Sequence, residues 1–543
     1  MKKLTLTMLD TSGIQDYIFN SNRLQENIGA SELVYRATTL WAFEKLPAPH
    51  NVKVNGIQWM INDGDIEKDS SSLNAEVIYA GGGNTMILFK DKDEAKKFTK
   101  RITTKVLKEA PGLTLVASHL EFDIDTVSLA NARTKLRQQL AAHKQSRQPS
   151  VPLLGLGVSA VCQSTGLPAV CNDTGTVKIA TQNETREIRL RLKGQENEPP
   201  RLISRETVAK LAWRDMATER LKKDFDDYQF PSDIDKLGRL EGDESYVAVV
   251  HADGNRMGKH LEEALQDTIT LTDCKKALRT FSEKVNAAGL SAVKHVVELV
   301  AKAVAENRIP HEGHYLPLRP LVFGGDDVTL LCNGQIGVSL AAAYLEAFEK
   351  AFKEAPIIKG LEDVHGRAGI AIVKMHYPFA RAYNLSEELA KSAKKFIKNE
   401  TNGDCSALDW HYATGGLSGE LDLIREREYS AKEGELNLRP VRIDPGDQKD
   451  SGRYWRGGLE SVILKFKNDA YWSKRKNKVV GLRDHLRKGA DAVKTYRTNF
   501  EIQLLPELAS ASARENGWQE KRCIYFDAVE LFDQYLPLEK QEA

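Results

Sequence analysis

Two strand-like apolar runs, Leu321-Val322-Phe323 and Val328-Thr329-Leu330-Leu331-Cys332, flank the tetrapeptide Gly324-Gly325-Asp326-Asp327. Runs of this length around a glycine pair predict a β-hairpin with adjacent carboxylates at its tip. Neighbouring side chains of a regular strand point to opposite faces, but a glycine turn lets both acids approach one site. Upstream, Tyr246-Val247-Ala248-Val249-Val250-His251 predicts another strand, ending in Ala252-Asp253-Gly254-Asn255-Arg256-Met257-Gly258. Asp253 would then leave its strand beside the hairpin acids.

The same order of elements occurs earlier. Leu4, Leu6 and Met8 alternate with polar residues up to Asp10, followed by Gly13 and the helical spacing Ile14, Tyr17, Ile18. A second glycine-tipped hairpin follows at Val77-Ile78-Tyr79-Ala80-Gly81-Gly82-Gly83-Asn84-Thr85-Met86-Ile87-Leu88-Phe89. Asp10 and Asp253 are 243 residues apart, and so are Gly83 and Asp326. Equal spacing of a strand, helix and hairpin reads as a duplicated domain. Gly83 and Asn84 stand where the second copy has Asp326 and Asp327, so the first copy keeps one acid, lacks the pair, and is expected to be inert.

Hard carboxylate oxygens favour Mg²⁺ or Mn²⁺, ions that retain waters and bind substrate phosphates. Asp253, Asp326 and Asp327 are therefore the candidate catalytic residues and metal ligands, expected to hold two ions about 4 Å apart. Gly254, Asn255, Arg256, Gly324 and Gly325 are the candidate nucleotide-binding neighbours. After the strand-like Gly369-Ile370-Ala371-Ile372-Val373, Lys391, Lys394, Lys395 and Lys398 share one face of a predicted helix, whose other face carries Leu385, Leu389, Ala393, Phe396 and Ile397.

Residues 1–415, through Ser12-Gly13-Ile14-Gln15-Asp16-Tyr17-Ile18, Gly29-Ala30-Ser31, the Asp253 turn and the Gly-Gly-Asp-Asp hairpin, resemble the large polymerase/cyclase subunit of type III CRISPR effector complexes. The resemblance implies two ferredoxin-like (βαββαβ) palm domains, an α+β fold, packed as a pseudo-dimer with nucleotide between them. It also implies conversion of ATP to cyclic oligoadenylate through 3′-5′ bonds, with pyrophosphate released. In related palm enzymes an Ala-Lys pair contacts the triphosphate; Ala393-Lys394 matches it, which makes Lys394 the first candidate and Lys391 and Lys395 the next. RNA or other effector subunits are implied partners, and a homodimer stays open. Two departures stand out: Asn255 replaces an acid found in many relatives, and Cys162 and Cys171 are too few for the four-cysteine zinc site common between the palms. No His-Asp dipeptide occurs, so an HD nuclease domain is not expected. Two other readings remain: a non-catalytic scaffold that binds guide or target RNA, and a GTP-using cyclic dinucleotide synthase of the diguanylate cyclase type.

Composition narrows the setting. A chain of 543 residues with 41% hydrophobic content has room for several cores, and a net charge of +1 argues against a uniformly basic nucleic-acid binder. Six scattered cysteines suit a reducing, cytoplasmic compartment. The start Met1-Lys2-Lys3 is followed by too short an apolar stretch for a signal peptide, and no apolar run is long enough to span a membrane.

The boundaries expected are a first palm over 1–130, a helical or linker region over 131–235, a second palm over 236–415 and a helical C-terminal domain over 416–543. Within these, Arg133, Lys135, Arg137, Lys144 and Arg147 mark a basic helix, 181–201 a surface loop, 203–228 amphipathic helix and 281–306 a helical insertion. Near the C-terminus, Trp472 with Lys474, Arg475, Lys476 and Lys478 offers an RNA-stacking candidate. The cluster Ser451-Gly452-Arg453-Tyr454-Trp455-Arg456-Gly457-Gly458 reads as a loop near the substrate or a packed one.

Overall fold

The computed structural model describes residues 2–146, 157–181, 184–192, 195–238, 245–354, 360–401, 403, 405–413, 420–446, 452–508 and 511–540. Lys3–Ser12 pairs antiparallel with Asn84–Phe89 on one side and Thr114–Asp123 on the other, and Ala75–Gly81 forms the edge. The second sheet repeats this order: Leu318–Gly324, Asp327–Asn333, Tyr246–Gly254, Gly366–Lys374. It then continues through Ala407–Ala413, which runs parallel to its neighbour, and Val441–Arg442. Both four-strand units have the ferredoxin-like order, and the fold is α+β.

The duplication holds residue by residue. Leu9 pairs with Thr85 as Ala252 pairs with Val328, and Gly81 with Asn84 as Gly324 with Asp327. Even the β-bulge repeats, between Val77 and Tyr79 in one hairpin and between Pro320 and Val322 in the other. A bulge kinks a strand and re-aims the residues beyond it, so both hairpin tips are thrown toward the same relative position. The correspondence stops at the third strand, where Val116 faces Asp10 but Arg367 faces Asp253.

Alternation along Tyr246–Gly254 explains how the palms meet. Val247 and Val249 join Leu331, Ala371 and Val373 in a core shared with Leu9, Val77, Ile87 and Phe89 of the first palm. Helices Ile14–Phe19 and Phe379–Glu400 cross in this core, where Phe19 stacks on Tyr383 with ring centroids 4.1 Å apart. The opposite face of the strand, Ala248, Val250 and Ala252, packs into a second core with the long helix Leu271–Ala305, the helix Gly337–Lys353 and residues of the C-terminal region. Burial on both faces is why this strand reads as an unbroken apolar run.

Several peripheral expectations change. The segment expected as a surface loop or insertion over 181–201 contributes the strand Thr185–Arg189, paired with Thr176–Ala180, with Ile179 and Ile188 as the pair's buried side chains. Short strands also accompany the helices of the C-terminal region, at Ser430–Ala431, Gly434–Glu435, Trp518–Gln519 and Arg522–Cys523. Trp472 is buried, edge-on to Phe466 at 5.0 Å, and presents no free face for a base. Trp455 is wholly buried, while Arg453 and Arg456 are bound to Glu400, Glu346 and Glu460, so that cluster is a packed loop. Arg147 and Ser451 lie outside the described residues. Cys162 is buried with its thiol 3.4 Å from the Thr207 hydroxyl, whereas Cys171 is exposed. No helix among the described residues is long and apolar enough to cross a membrane.

Candidate active site

The Gly324-Gly325-Asp326-Asp327 hairpin closes through a two-residue turn, Gly325-Asp326, between the paired Gly324 and Asp327. Gly325 has φ +75°, a conformation that costs glycine little and other residues much. The corresponding turn of the first palm needs positive φ at both Gly82 and Gly83. Asp326 escapes that requirement, and so an acid can occupy a position the first palm fills with glycine.

The tip is held from two sides. Asn286, on the long helix, accepts a hydrogen bond from the Gly325 amide at 3.0 Å. Gly289, one turn on, lets the helix approach so closely that a Cβ there would sit 2.2 Å from the Gly325 carbonyl oxygen. From the other side the Gly254 amide donates to the Asp326 carbonyl at 3.2 Å, which ties the hairpin to the end of the Asp253 strand.

These constraints bring Asp253, Asp326 and Asp327 to one end of the sheet. The Asp253 and Asp326 carboxyls lie within hydrogen-bonding reach. Asp327 receives the Gln15 side chain, contributed by the first palm, and its buried Oδ1 lies 3.4 Å from His251 Nδ1 without completing a hydrogen bond. Desolvation, followed by the charge of Asp253, pushes Asp326 and Asp327 up to about 7. Burial holds the neighbouring His251 below its usual range. The Asp327 and Asp253 side chains still keep 39% and 27% of their surface open, enough for a ligand to reach them.

An orphaned carboxylate oxygen and two mutually repelling acids suit a hard divalent cation. Even so, among the described residues no three acids, histidines or cysteines converge closely enough to hold one. The Arg367 guanidinium is bound to Asp253 and donates also to the Gly254 carbonyl at 3.0 Å and Asn255 Oδ1 at 2.9 Å. Asn255 is thereby buried and engaged. Arg256 is exposed at the start of the next helix in a left-handed conformation, φ +56°, matching Gly13 of the first palm at φ +66°. An arginine kept where the duplicate uses glycine is a strained choice of the kind that clusters at ligand sites.

The lysine face is sorted by the fold. Lys391 pairs with Glu387 at 3.0 Å, and both act electrostatically on His251. Lys395 is exposed, 3.9 Å from Asp422, and Lys394 is exposed with no ion pair among the described residues. A cleft of about 350 Å³ opens between the palms, with Asp326, Gly325, Met257, Gly258 and Asn286 on one wall and Asp10, Asn84, Arg133 and Arg137 on the other. In the first palm Asp10 is neutralised by Lys144 at 2.7 Å. Sequence reasoning missed Arg367, His251, Glu387 and Asn286 as site residues: Arg367 reaches Asp253 across paired strands, His251 and Glu387 come near Asp327 from other elements, and Asn286 holds the Gly325 amide.

Residues 246–402 match the sequence profile of the Cas10/Cmr2 second palm domain. That stretch is similar to a Cas10/Cmr2 second palm. Chains of Csm1-Csm4 cassettes share the fold over almost the whole length. One solved in complex with one ATP is 14% identical, covering 98% of this chain and 70% of that one, with TM-score 0.53. Another, in complex with pppApApA, is 13% identical over 99% and 70% of the two chains, with TM-score 0.52. A third, in complex with cA3, is 13% identical over 98% and 69%, with TM-score 0.51. At such identities the likeness concerns the fold alone. No curated protein matches the sequence.

Proposed function

We propose that this Cas10-type chain is a metal-dependent nucleotidyltransferase that joins ATP into cyclic oligoadenylate. The observation that carries the reading is the mutual repulsion of Asp253, Asp326 and Asp327 at one end of the sheet, with Asp326 on the wall of a cleft that Arg133 and Arg137 line from the other side. The charge of Asp253 works against that of Asp326 and of Asp327, a cost that a scaffold has no reason to bear. The ATP-bound and oligoadenylate-bound Csm1-Csm4 relatives support the choice of substrate. By the same analogy another effector subunit is the partner assigned to this chain.

In this reading Asp253, Asp326 and Asp327 would hold divalent cations, with nucleotide phosphates completing the ligand set. The chemistry such ions supply when bound is a lowered pKa for the attacking ribose hydroxyl and neutralisation of the departing pyrophosphate. The chain's own residues position the reactants. Arg133 and Arg137 face the phosphates of one nucleotide across the cleft from the acids, and Arg256 and Lys394, both exposed near the other, take its triphosphate. A 3′-oxygen forms a bond to the α-phosphorus of the next nucleotide, the α–β anhydride bond breaks, pyrophosphate leaves, and the hydroxyl proton passes to solvent.

Incubation of the purified chain with ATP, GTP, CTP or UTP separately, with Mg²⁺ or Mn²⁺ and with or without RNA, followed by mass spectrometry, tests the reading. Cyclic oligoadenylates from ATP are expected. A linked GTP pair would transfer the chain to the diguanylate cyclase type, and co-purified RNA without any turnover would make it a scaffold.

A further inference from the structure

Arg367 stands where the first palm has an apolar residue. Strand pairing sets it directly opposite Asp253, whereas Val116 stands opposite Asp10. Both palms nevertheless bring a cation to the acid at the end of the central strand. In the first palm it is Lys144, reaching in from the helix Leu129–Ser146, and the contact is partly exposed. In the second it comes from the sheet itself and is buried, and the guanidinium grips three successive residues through the Asp253 carboxylate, the Gly254 carbonyl and the Asn255 amide oxygen. An arginine fork held at three acceptors is oriented, and a lysine could not reproduce that geometry.

The neighbouring charges are Asp253, Asp326, Asp327 and Glu387 on the negative side, with Arg367, His251 and Lys391 facing them. A guanidinium bound to Asp253 cancels one of the acids and repels any second cation brought to the same carboxylate. Only oxygens left over from this bond remain for a metal ion.

We propose that Arg367 is a positioning residue and the built-in cation of the resting centre: it fixes Asp253 and the following turn, and it keeps affinity for free divalent ions low, so that metal enters together with nucleotide phosphates. This rests on the nucleotidyltransferase reading, since it assigns a role toward the ions that the reaction uses. The phosphates supply both extra ligands and the negative charge that offsets the guanidinium. Asn255 suits the arrangement because its amide oxygen accepts from Arg367 without adding another charge.

The test is Mn²⁺ binding to the full chain, read from the loss of the free-ion electron paramagnetic resonance signal. In the absence of nucleotide, Arg367→Gln should bind Mn²⁺ about ten-fold or more tightly than wild type, because a buried positive charge beside the ligands is gone. Arg367→Lys should stay close to wild type in Mn²⁺ affinity. Turnover of ATP should fall in both variants, since neither holds the strand end. A merely structural arginine would lower turnover without tightening Mn²⁺ binding. Unchanged or weaker Mn²⁺ binding by a folded Arg367→Gln overturns the proposal. If that variant does not fold, wild type alone decides: a non-hydrolysable ATP analogue should tighten Mn²⁺ uptake beyond that of protein and analogue measured apart, and equally tight uptake without nucleotide overturns the proposal. Failure of every nucleotide to turn over would instead strike the parent reading, and the Mn²⁺ comparison would still judge Arg367.

Discussion

At the scale of single residues, the chemistry turns on carboxylates pushed up by burial and by each other. Asp326 and Asp327, raised to about 7, must lose protons before they can bind an ion. Mn²⁺ affinity should therefore climb steadily from pH 6 to pH 8, with proton release on binding detectable by calorimetry in buffers of different ionisation enthalpy; affinity flat across that range would contradict the assignment. The sign for stability is opposite. Between their ordinary value of 3.8 and about 7 the folded metal-free chain keeps protons that the unfolded chain has lost, so these two groups make stability fall as pH rises through that window. The three acids were legible in the sequence because glycine and aspartate together leave so few other readings. Arg367 was not, since nothing local distinguishes it from any arginine opening a strand. Only the pairing of Gly366–Lys374 with Tyr246–Gly254 brings it to Asp253.

At the scale of elements, the long helix Leu271–Ala305 sets where the Gly-Gly-Asp-Asp hairpin sits. Its Gly289 has no room for a side chain against the Gly325 carbonyl oxygen. Gly289→Ala should therefore displace the turn, lowering stability by about 1–3 kcal/mol in chemical denaturation and reducing turnover by more than that loss explains. Wild-type turnover in the variant would show that the hairpin is not fixed from this side. The repeat of strand, turn and bulge was visible as a constant spacing, because duplicated backbone pairings preserve sequence separation. Lys391, Lys394, Lys395 and Lys398 show the limit of such reasoning. Helical periodicity put them on one face, but only tertiary packing shows that Glu387 restrains Lys391 and leaves Lys394 free of ion pairs among the described residues. Trp472 failed for a similar reason, since an aromatic beside basic residues looks the same in sequence whether its ring is exposed or buried against Phe466.

At the scale of the whole molecule, two copies of one fold have taken different roles across a shared core. The second palm presents acids. The first has exchanged its acid pair for Gly83 and Asn84, tied Asp10 to Lys144, and lines the cleft with Arg133 and Arg137. The cleft thus sets Asp326 on one wall against Arg133 and Arg137, beside Asp10, on the other. The C-terminal region adds to the second palm's far core rather than to the cleft, with Trp455 packed edge-on against Trp410 at 5.7 Å. The most direct test of the account is pyrophosphate release and product mass from ATP with Mg²⁺, comparing wild type with the Asp326→Asn, Asp327→Asn double variant. Wild type should release pyrophosphate and form 3′-5′-linked oligoadenylates, and the double variant, folded to the same extent, should lose more than about 100-fold in rate. Equal product from both proteins, or unconsumed ATP with wild type in every condition including added RNA, would contradict it.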